Sequence, residues 1–269
     1  MIEEIQPSLR LNEMPQLAFG TALPVKVTWG GAILKKRITE ALMAGYRHID
    51  TAVRYSTQDF MEGANNSEEY YTAFKEGIKD SGVDRKDIWI TLKGTGSNWK
   101  EELKQFGLTY VDLYITKNLV HLEQPLNDGN IRYWGLEHVK EFSEVPKVGN
   151  HTLFAIQIQA RGDEDSNLIV ALNNQNIRVQ LFSPISGLET SLARSAQSTE
   201  EIKIAIIKYY LKKYILNKKN VLIVGSFLGG SINLNFKLFS EIVTEKKDYE
   251  RPIESFRNLL GKGYKMERR

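Results

Sequence analysis

Eight short apolar runs alternating with helical periodicity predict a closed (β/α)8 barrel of the TIM type for this chain. The runs are rich in β-branched residues, too short for helices and apolar on both faces, as parallel strands covered by helices tend to be. Four of the intervening segments carry apolar residues at helical spacing. No linker, internal repeat or low-complexity tract divides the sequence, so residues 1–269 are expected to form a single barrel domain.

The first strand is expected within Gln16–Thr21, and the apolar positions Ile38, Ala41 and Leu42 then mark a helix that Gly45 terminates. Arg47–Ala52 reads as the second strand, Glu68–Asp80 as a helix and Ile88–Lys93 as the third strand. A helix over Trp99–Phe106 leads to the fourth strand, Val111–Lys117. The remaining strands are Ile131–Leu136, Leu153–Gln159, Val179–Ser183 and Val221–Gly225. Before the last, Ile204, Ile207, Leu211 and Tyr214 form a stripe flanked by Lys203, Lys208, Lys212 and Lys213, a helix with one buried face. One crossover is short. Only Asn118–Asn130 separate the fourth and fifth strands, and they contain Pro125 and the turn signal Asn127-Asp128-Gly129. A parallel crossover needs at least about 10–12 residues including its helix. The fourth outer helix is therefore expected to be missing or reduced to a turn. The gap is expected to expose a groove or apolar patch, a surface for a protein partner or a homodimer.

Composition narrows the function classes. Hydrophobic residues make up 42% and charged residues 26%, which supplies both a core and a solvated surface. The net charge of +3 argues against a dedicated nucleic-acid binder. Absence of cysteine removes disulfides, thiolate chemistry and Cys-ligated metal sites. The four histidines lack metal-ligand spacing, and no metal is expected. An acidic start, Met1-Ile2-Glu3-Glu4-Ile5, with no apolar stretch of spanning length after it, leads to the expectation of a cytoplasmic protein without membrane contact.

In such barrels the C-terminal ends of the strands and the loops after them build the active site. Asp50, Tyr55 and Lys93 all fall there. A lysine beside a phenol favours the phenolate and lowers the tyrosine pKa, and an aspartate keeps that lysine charged and oriented. Such a tyrosine can give a proton to a carbonyl oxygen. The stretch Gly45-Tyr46-Arg47-His48-Ile49-Asp50-Thr51-Ala52-Val53-Arg54-Tyr55 resembles the G-Y-R-H-I-D-T-A-x-x-Y signature of the aldo-keto reductases. Trp89-Ile90-Thr91-Leu92-Lys93 is similar to the family's I-x-T-K-L. The resemblance implies that Asp50, Tyr55 and Lys93 are three members of a catalytic group of four. The fourth is a histidine in D-L-Y-L-I-H-W-P, where this chain reads Asp112-Leu113-Tyr114-Ile115-Thr116-Lys117-Asn118-Leu119, so Lys117 takes the histidine's place.

The same resemblance implies a nicotinamide cofactor, NADP or NAD, and a small carbonyl substrate. Gly20 and Thr21 match the G-T lying against the nicotinamide. Glu137 and His138 replace a Ser-Asn pair that holds the carboxamide, and Gln157 matches a glutamine with the same role. Phe182 replaces a stacking tyrosine, Ser183 follows it at the pyrophosphate, Ser226 matches the serine of I-P-K-S, and Asn235 matches the adenine-binding asparagine. Gly225 and Ser231 stand where two cations often meet the 2′-phosphate, which lowers the expected preference for NADP. The expected function is hydride transfer from NAD(P)H to a small carbonyl. Two other readings stay open: a cofactor-binding or scaffold protein of the same fold with impaired turnover, and a lysine-dependent reaction at Lys117.

Overall fold

The structure is a computed structural model, and it describes residues 13–22, 31–57, 67–137, 145–160, 166–184, 199–215, 219–225 and 231–245. The barrel strands are β1 (Leu17–Gly20), β2 (His48–Ala52), β3 (Trp89–Lys93), β4 (Val111–Ile115), β5 (Ile131–Glu137), β8 (Ala155–Gln159), β9 (Arg178–Phe182) and β10 (Val221–Val224). β6 (Lys147–Val148) and β7 (His151–Thr152) form a separate antiparallel hairpin. The eight barrel strands close in the order β1-β10-β9-β8-β5-β4-β3-β2, all neighbours parallel. Six of the eight apolar runs contain a whole barrel strand, while β5 ends one residue past its run, at Glu137, and β9 begins one residue before its run, at Arg178.

Outside the barrel lie α1 (Gly31–Met43), α2 (Ser67–Ser81), α3 (Trp99–Gln105), α4 (Glu123–Asn127), α5 (Ser166–Asn174), α6 (Thr199–Tyr210) and α7 (Ser231–Glu245). α6 continues as a π-helical turn over Leu211–Ile215, which keeps Leu211, Tyr214 and Ile215 on the buried side. The main core fills the space between strands and helices, with Phe19, Leu34, Ile38, Tyr70, Phe74, Phe106 and Trp134 fully enclosed. A smaller cluster that includes Ala18, Leu113, Ile115, Ala155, Val221 and Ile223 fills the lumen. Side chains alternate along a strand, so the lumen also receives His48 and Asp50 from β2, Thr91 and Lys93 from β3, Gln157 from β8 and Gln180 from β9.

The β4–β5 crossover holds only the five-residue α4, which buries Pro125 and Leu126. The expected open wall beside it is covered instead. The β6–β7 hairpin lies against α4 and β5: Trp134 Nε1 donates to the His151 carbonyl at 3.3 Å, and His151 Nε2 is 2.9 Å from Asn127 Oδ1. Val148 and Leu153 join Leu122, Leu126 and Trp134 in the core. Gly149, at φ 55°, leaves room for Glu123, whose carboxylate an added Cβ would strike. Among the described residues of this wall, Val120 is the large hydrophobic that protrudes, at 80% exposure.

Beneath the strands Asp112 gathers charge. Arg85 and Arg132 pair with its two oxygens at 2.9 and 3.0 Å, the Ile90 amide donates to it at 2.9 Å, and Tyr110 lies between the two guanidiniums. No helix among the described residues is long and apolar enough to cross a membrane.

Candidate active site

β2 carries Asp50 inward near its C-terminal end, where it is 3% exposed. The chain then tightens into a 3-10 turn over Val53–Ser56, held by Thr57 N to Arg54 O at 3.2 Å and Ser56 Oγ to Val53 O at 2.8 Å. That turn brings Tyr55 back over the strand ends. Lys93, the last residue of β3, reaches between the two: its ammonium pairs with Asp50 Oδ1 and hydrogen-bonds the Tyr55 phenol, with Nζ 5.2 Å from the ring centre.

Charge in this group is set by burial and by Lys93 together. Burial opposes the Lys93 charge, but attraction to Asp50, then to Tyr55, and hydrogen bonds to both outweigh it, and the ammonium is held above the ordinary lysine value. Burial pushes the Asp50 carboxyl up, while Lys93 and the Gln157 amide pull it down. The Tyr55 phenol is also pushed up by burial, and Lys93 only moderates the rise. The sequence-based expectation of a lowered tyrosine pKa is thus reversed in net direction, because burial outweighs the lysine. Glu137, at the end of β5, adds a negative charge that acts upward on both Asp50 and Tyr55.

Lys117 is placed differently. The chain bends after β4, with Asn118 N donating to Thr116 Oγ1 at 3.1 Å, and the inward alternation ends at Ile115. Lys117 is exposed and has no hydrogen bond or ion pair among the described residues. The structure brings Asp50, Tyr55 and Lys93 together and leaves Lys117 outside their contacts.

The residues matched to cofactor positions fall around the same rim. Gly20 is buried where β1 meets β10, and an added Cβ would stand 3.1 Å from Ile223 Cγ2. Thr21 is fully buried, and its backbone amide and hydroxyl both donate to the Asp50 carbonyl, at 3.0 and 3.1 Å. Its hydroxyl oxygen is 2.8 Å from the Tyr70 hydroxyl, so Thr21 holds the backbone beneath the acid. Gln157 donates one amide hydrogen to Asp50 and the other to Gln180, which leaves its carbonyl oxygen to accept. Phe182 ends β9 half-buried, and Ser183 follows in the left-handed region at φ 56°. Asn235, on α7, is buried with its Nδ2 lacking a hydrogen-bond partner among the described residues. His138 and Ser226 lie outside the described residues.

The sequence reading passed over several contributors. Glu102, on α3, accepts from Thr95 N at 3.0 Å, Thr95 Oγ1 at 2.6 Å and the Tyr114 hydroxyl, and so fixes the loop that follows Lys93. Gly94 is required there, because a Cβ would collide with Tyr114 and Glu102. Gln180 and Thr91 were legible only as polar residues in buried strands, the one available signal of a lumen network. Among the described residues no cluster of acids and histidines is arranged to hold a metal ion.

Known proteins share parts of this sequence and most of its fold. No family model matches the chain. An aldehyde reductase of Saccharomyces cerevisiae is 37% identical over 139 residues, 46% of this chain and 38% of that protein. Aldo-keto reductase family 1 member C1 of Homo sapiens is 34% identical over 119 residues, 40% of this chain and 33% of its own length. The chain thus matches well under half of these curated relatives. Over the whole fold the likeness is broader. An aldose reductase from Giardia lamblia superposes with a TM-score of 0.66 over 94% of this chain and 95% of that one, at 20% identity. An aldo-keto reductase from a Medee basin deep-sea metagenome library gives 0.61 over 92% of both chains, at 21% identity. Part of the chain is thus similar in sequence to aldo-keto reductases, and nearly all of it is similar to them in fold. Its closed eight-stranded barrel is the fold of those reductases.

Proposed function

We propose that this aldo-keto reductase homologue reduces a small carbonyl substrate using NADPH or NADH. The observation that carries the reading is the Lys93 ammonium held between the Asp50 carboxyl and the Tyr55 phenol. A nicotinamide dinucleotide, when bound, would supply the hydride that the carbonyl carbon accepts. Tyr55, kept protonated by burial, gives its proton to the carbonyl oxygen, and Lys93 stabilises the phenolate left behind. Asp50 keeps Lys93 charged and aimed. The described residues fit a dinucleotide: the unpartnered Asn235 Nδ2 suits an acceptor on a purine, the free Gln157 carbonyl oxygen suits a carboxamide N–H, and Phe182 offers a ring face. Gly225 and Ser231 bring no cation to a 2′-phosphate, which favours NADH relative to relatives that have cations there.

Turnover of a panel of small aldehydes, with tryptophan fluorescence quenching for binding, tests the reading. Tyr55→Phe is expected to abolish reduction while NADH and NADPH still quench. Undiminished reduction in that variant removes Tyr55 from the mechanism. A second reading, a cofactor-binding protein with impaired turnover, is favoured by the position of Lys117 outside the group and by the negative charge of Glu137. It expects quenching by the dinucleotide without reduction of any aldehyde. A lysine-dependent reaction expects borohydride to trap a carbonyl adduct on Lys117.

A further inference from the structure

The lumen below Asp50 holds a chain of hydrogen bonds that reaches the floor of the barrel. Lys93 donates to Asp50 Oδ1, and Gln157 donates to Asp50 Oδ2. The second Gln157 amide hydrogen goes to Gln180 Oε1 at 2.8 Å. Gln180 in turn donates to Thr91 Oγ1 at 3.3 Å and to Met14 Sδ at 3.2 Å. Thr91 Oγ1 is 2.8 Å from His48 Nε2, and His48 Nδ1 is 3.1 Å from the Pro15 carbonyl. His48, Thr91, Gln157 and Gln180 are all at most 1% exposed.

The direction of every bond follows from the floor upward. A carbonyl oxygen only accepts, so His48 carries a proton on Nδ1, and because burial lowers its pKa to about 3 the ring is neutral and Nε2 accepts. Thr91 has one hydroxyl proton, which therefore goes to His48, and its oxygen must accept from Gln180. This turns the Gln180 amide toward Thr91 and Met14 and its carbonyl oxygen toward Gln157. Gln157 must then present its amide, and the remaining hydrogen of that amide points at Asp50. Reversing Gln180 would set its oxygen against the oxygen of Thr91 and its amide against that of Gln157, two buried conflicts in a site without solvent.

We infer that Gln180, Thr91 and His48 are positioning residues that lock the Gln157 amide in the orientation that donates to Asp50, so that a carbonyl on the barrel floor sets the geometry of the Asp50–Lys93–Tyr55 group. The consequence for turnover rests on the reductase reading; the orientation of Gln157 does not. With both hydrogens of Gln157 committed, its carbonyl oxygen is the part left to face a ligand.

The test uses the full chain labelled with 15N-glutamine, the Gln157 side-chain amide being assigned by its loss in Gln157→Leu. In Gln180→Leu, and in the nearly isosteric Thr91→Val, the Gln157 amide protons are expected to shift and to exchange with solvent about tenfold faster, the equivalent of one lost hydrogen bond. In both variants kcat is expected to fall about tenfold and the KM for dinucleotide to rise, because the Gln157 carbonyl oxygen turns with its amide. Amide shifts and exchange that match the wild-type protein in both variants overturn the inference. So does a moved amide with unchanged kcat, for the part that concerns turnover. A wild-type protein that reduces no carbonyl counts against the reductase reading alone, since the amide measurement still decides the orientation.

Discussion

Asp50→Asn isolates what the carboxylate does for Lys93. The substitution keeps the shape and an oxygen for the Lys93 hydrogen bond, removes the charge, and sets its own amide against that of Gln157, a lost hydrogen bond that does not vary with pH. Both side chains are enclosed, with 12% of Lys93 and 4% of Asp50 exposed, so the ammonium loses its counter-charge where water cannot replace it. Removing one partner of such a pair costs about 3–5 kcal/mol. At roughly 2–4 °C per kcal/mol for a domain near this size, the melting temperature at neutral pH should fall by roughly 6–20 °C. The pH dependence of that loss is more diagnostic than its size. In the wild-type protein the folded-state pKa of Lys93 is raised, so its contribution is fully present below the ordinary lysine value and is lost as pH rises through the folded value. In the variant, burial acts with its main opponent removed and drives the folded-state pKa below the ordinary value. Stability is then lost as pH falls from about 10.4 toward neutrality. The gap in melting temperature between the two proteins should therefore narrow from about pH 7 to about pH 10, the usual lysine range. Scanning calorimetry at constant ionic strength reads both. A gap that is negligible at neutral pH, or equally wide at both ends, refutes the dependence of the Lys93 charge on Asp50.

Further outcomes follow from other features. Asn235→Leu removes an amide nitrogen that is buried without a partner among the described residues, so the protein without ligand should gain about 1 kcal/mol while dinucleotide affinity drops several-fold; thermal melts and quenching titrations check the two arms. Because burial raises the Tyr55 phenol, reduction should stay insensitive to pH through neutrality and decline only above the ordinary tyrosine value of about 10, measurable as kcat against pH. Asp112→Ala strands Arg85 and Arg132 on either side of Tyr110; their partial exposure tempers the cost to about 2–4 kcal/mol, seen as a lower urea midpoint with dinucleotide binding retained.

The strands were legible because a barrel strand buried on both faces is rich in apolar and β-branched residues even where polar ones enter the lumen, and each such run stands out from the segments around it. The Asp50, Tyr55 and Lys93 positions were legible for a related reason: a strand delivers its last residues to the rim, so a motif at its end is already at the site. The β6–β7 hairpin was not legible, since two-residue strands such as Lys147–Val148 and His151–Thr152 carry no alternation to detect. α5 escaped because Asn167, Asn173 and Asn174 dilute a short stripe that buries only Ile169 and Leu172. The lumen network escaped for a different reason. Its links join residues distant in sequence, such as Asp50 and Gln157, 107 positions apart, and which glutamine faces which acid depends on strand register. The exposure of Lys117 likewise depends on a local bend at Thr116 and Asn118 that alignment to a motif does not reveal.

Barrel closure has a consequence for the birth of the protein. β1 pairs with β10, joining Leu17 to Leu222 and Phe19 to Val224. A chain emerging from the ribosome thus completes β1 long before its second neighbour exists, and until residue 224 appears that strand offers an unpaired edge. Contacts this distant in sequence form late, so the nascent barrel passes through a stage with open edges at β1 and β9, the stage most exposed to aggregation and to chaperone capture. Any truncation before Val221 would make that stage permanent.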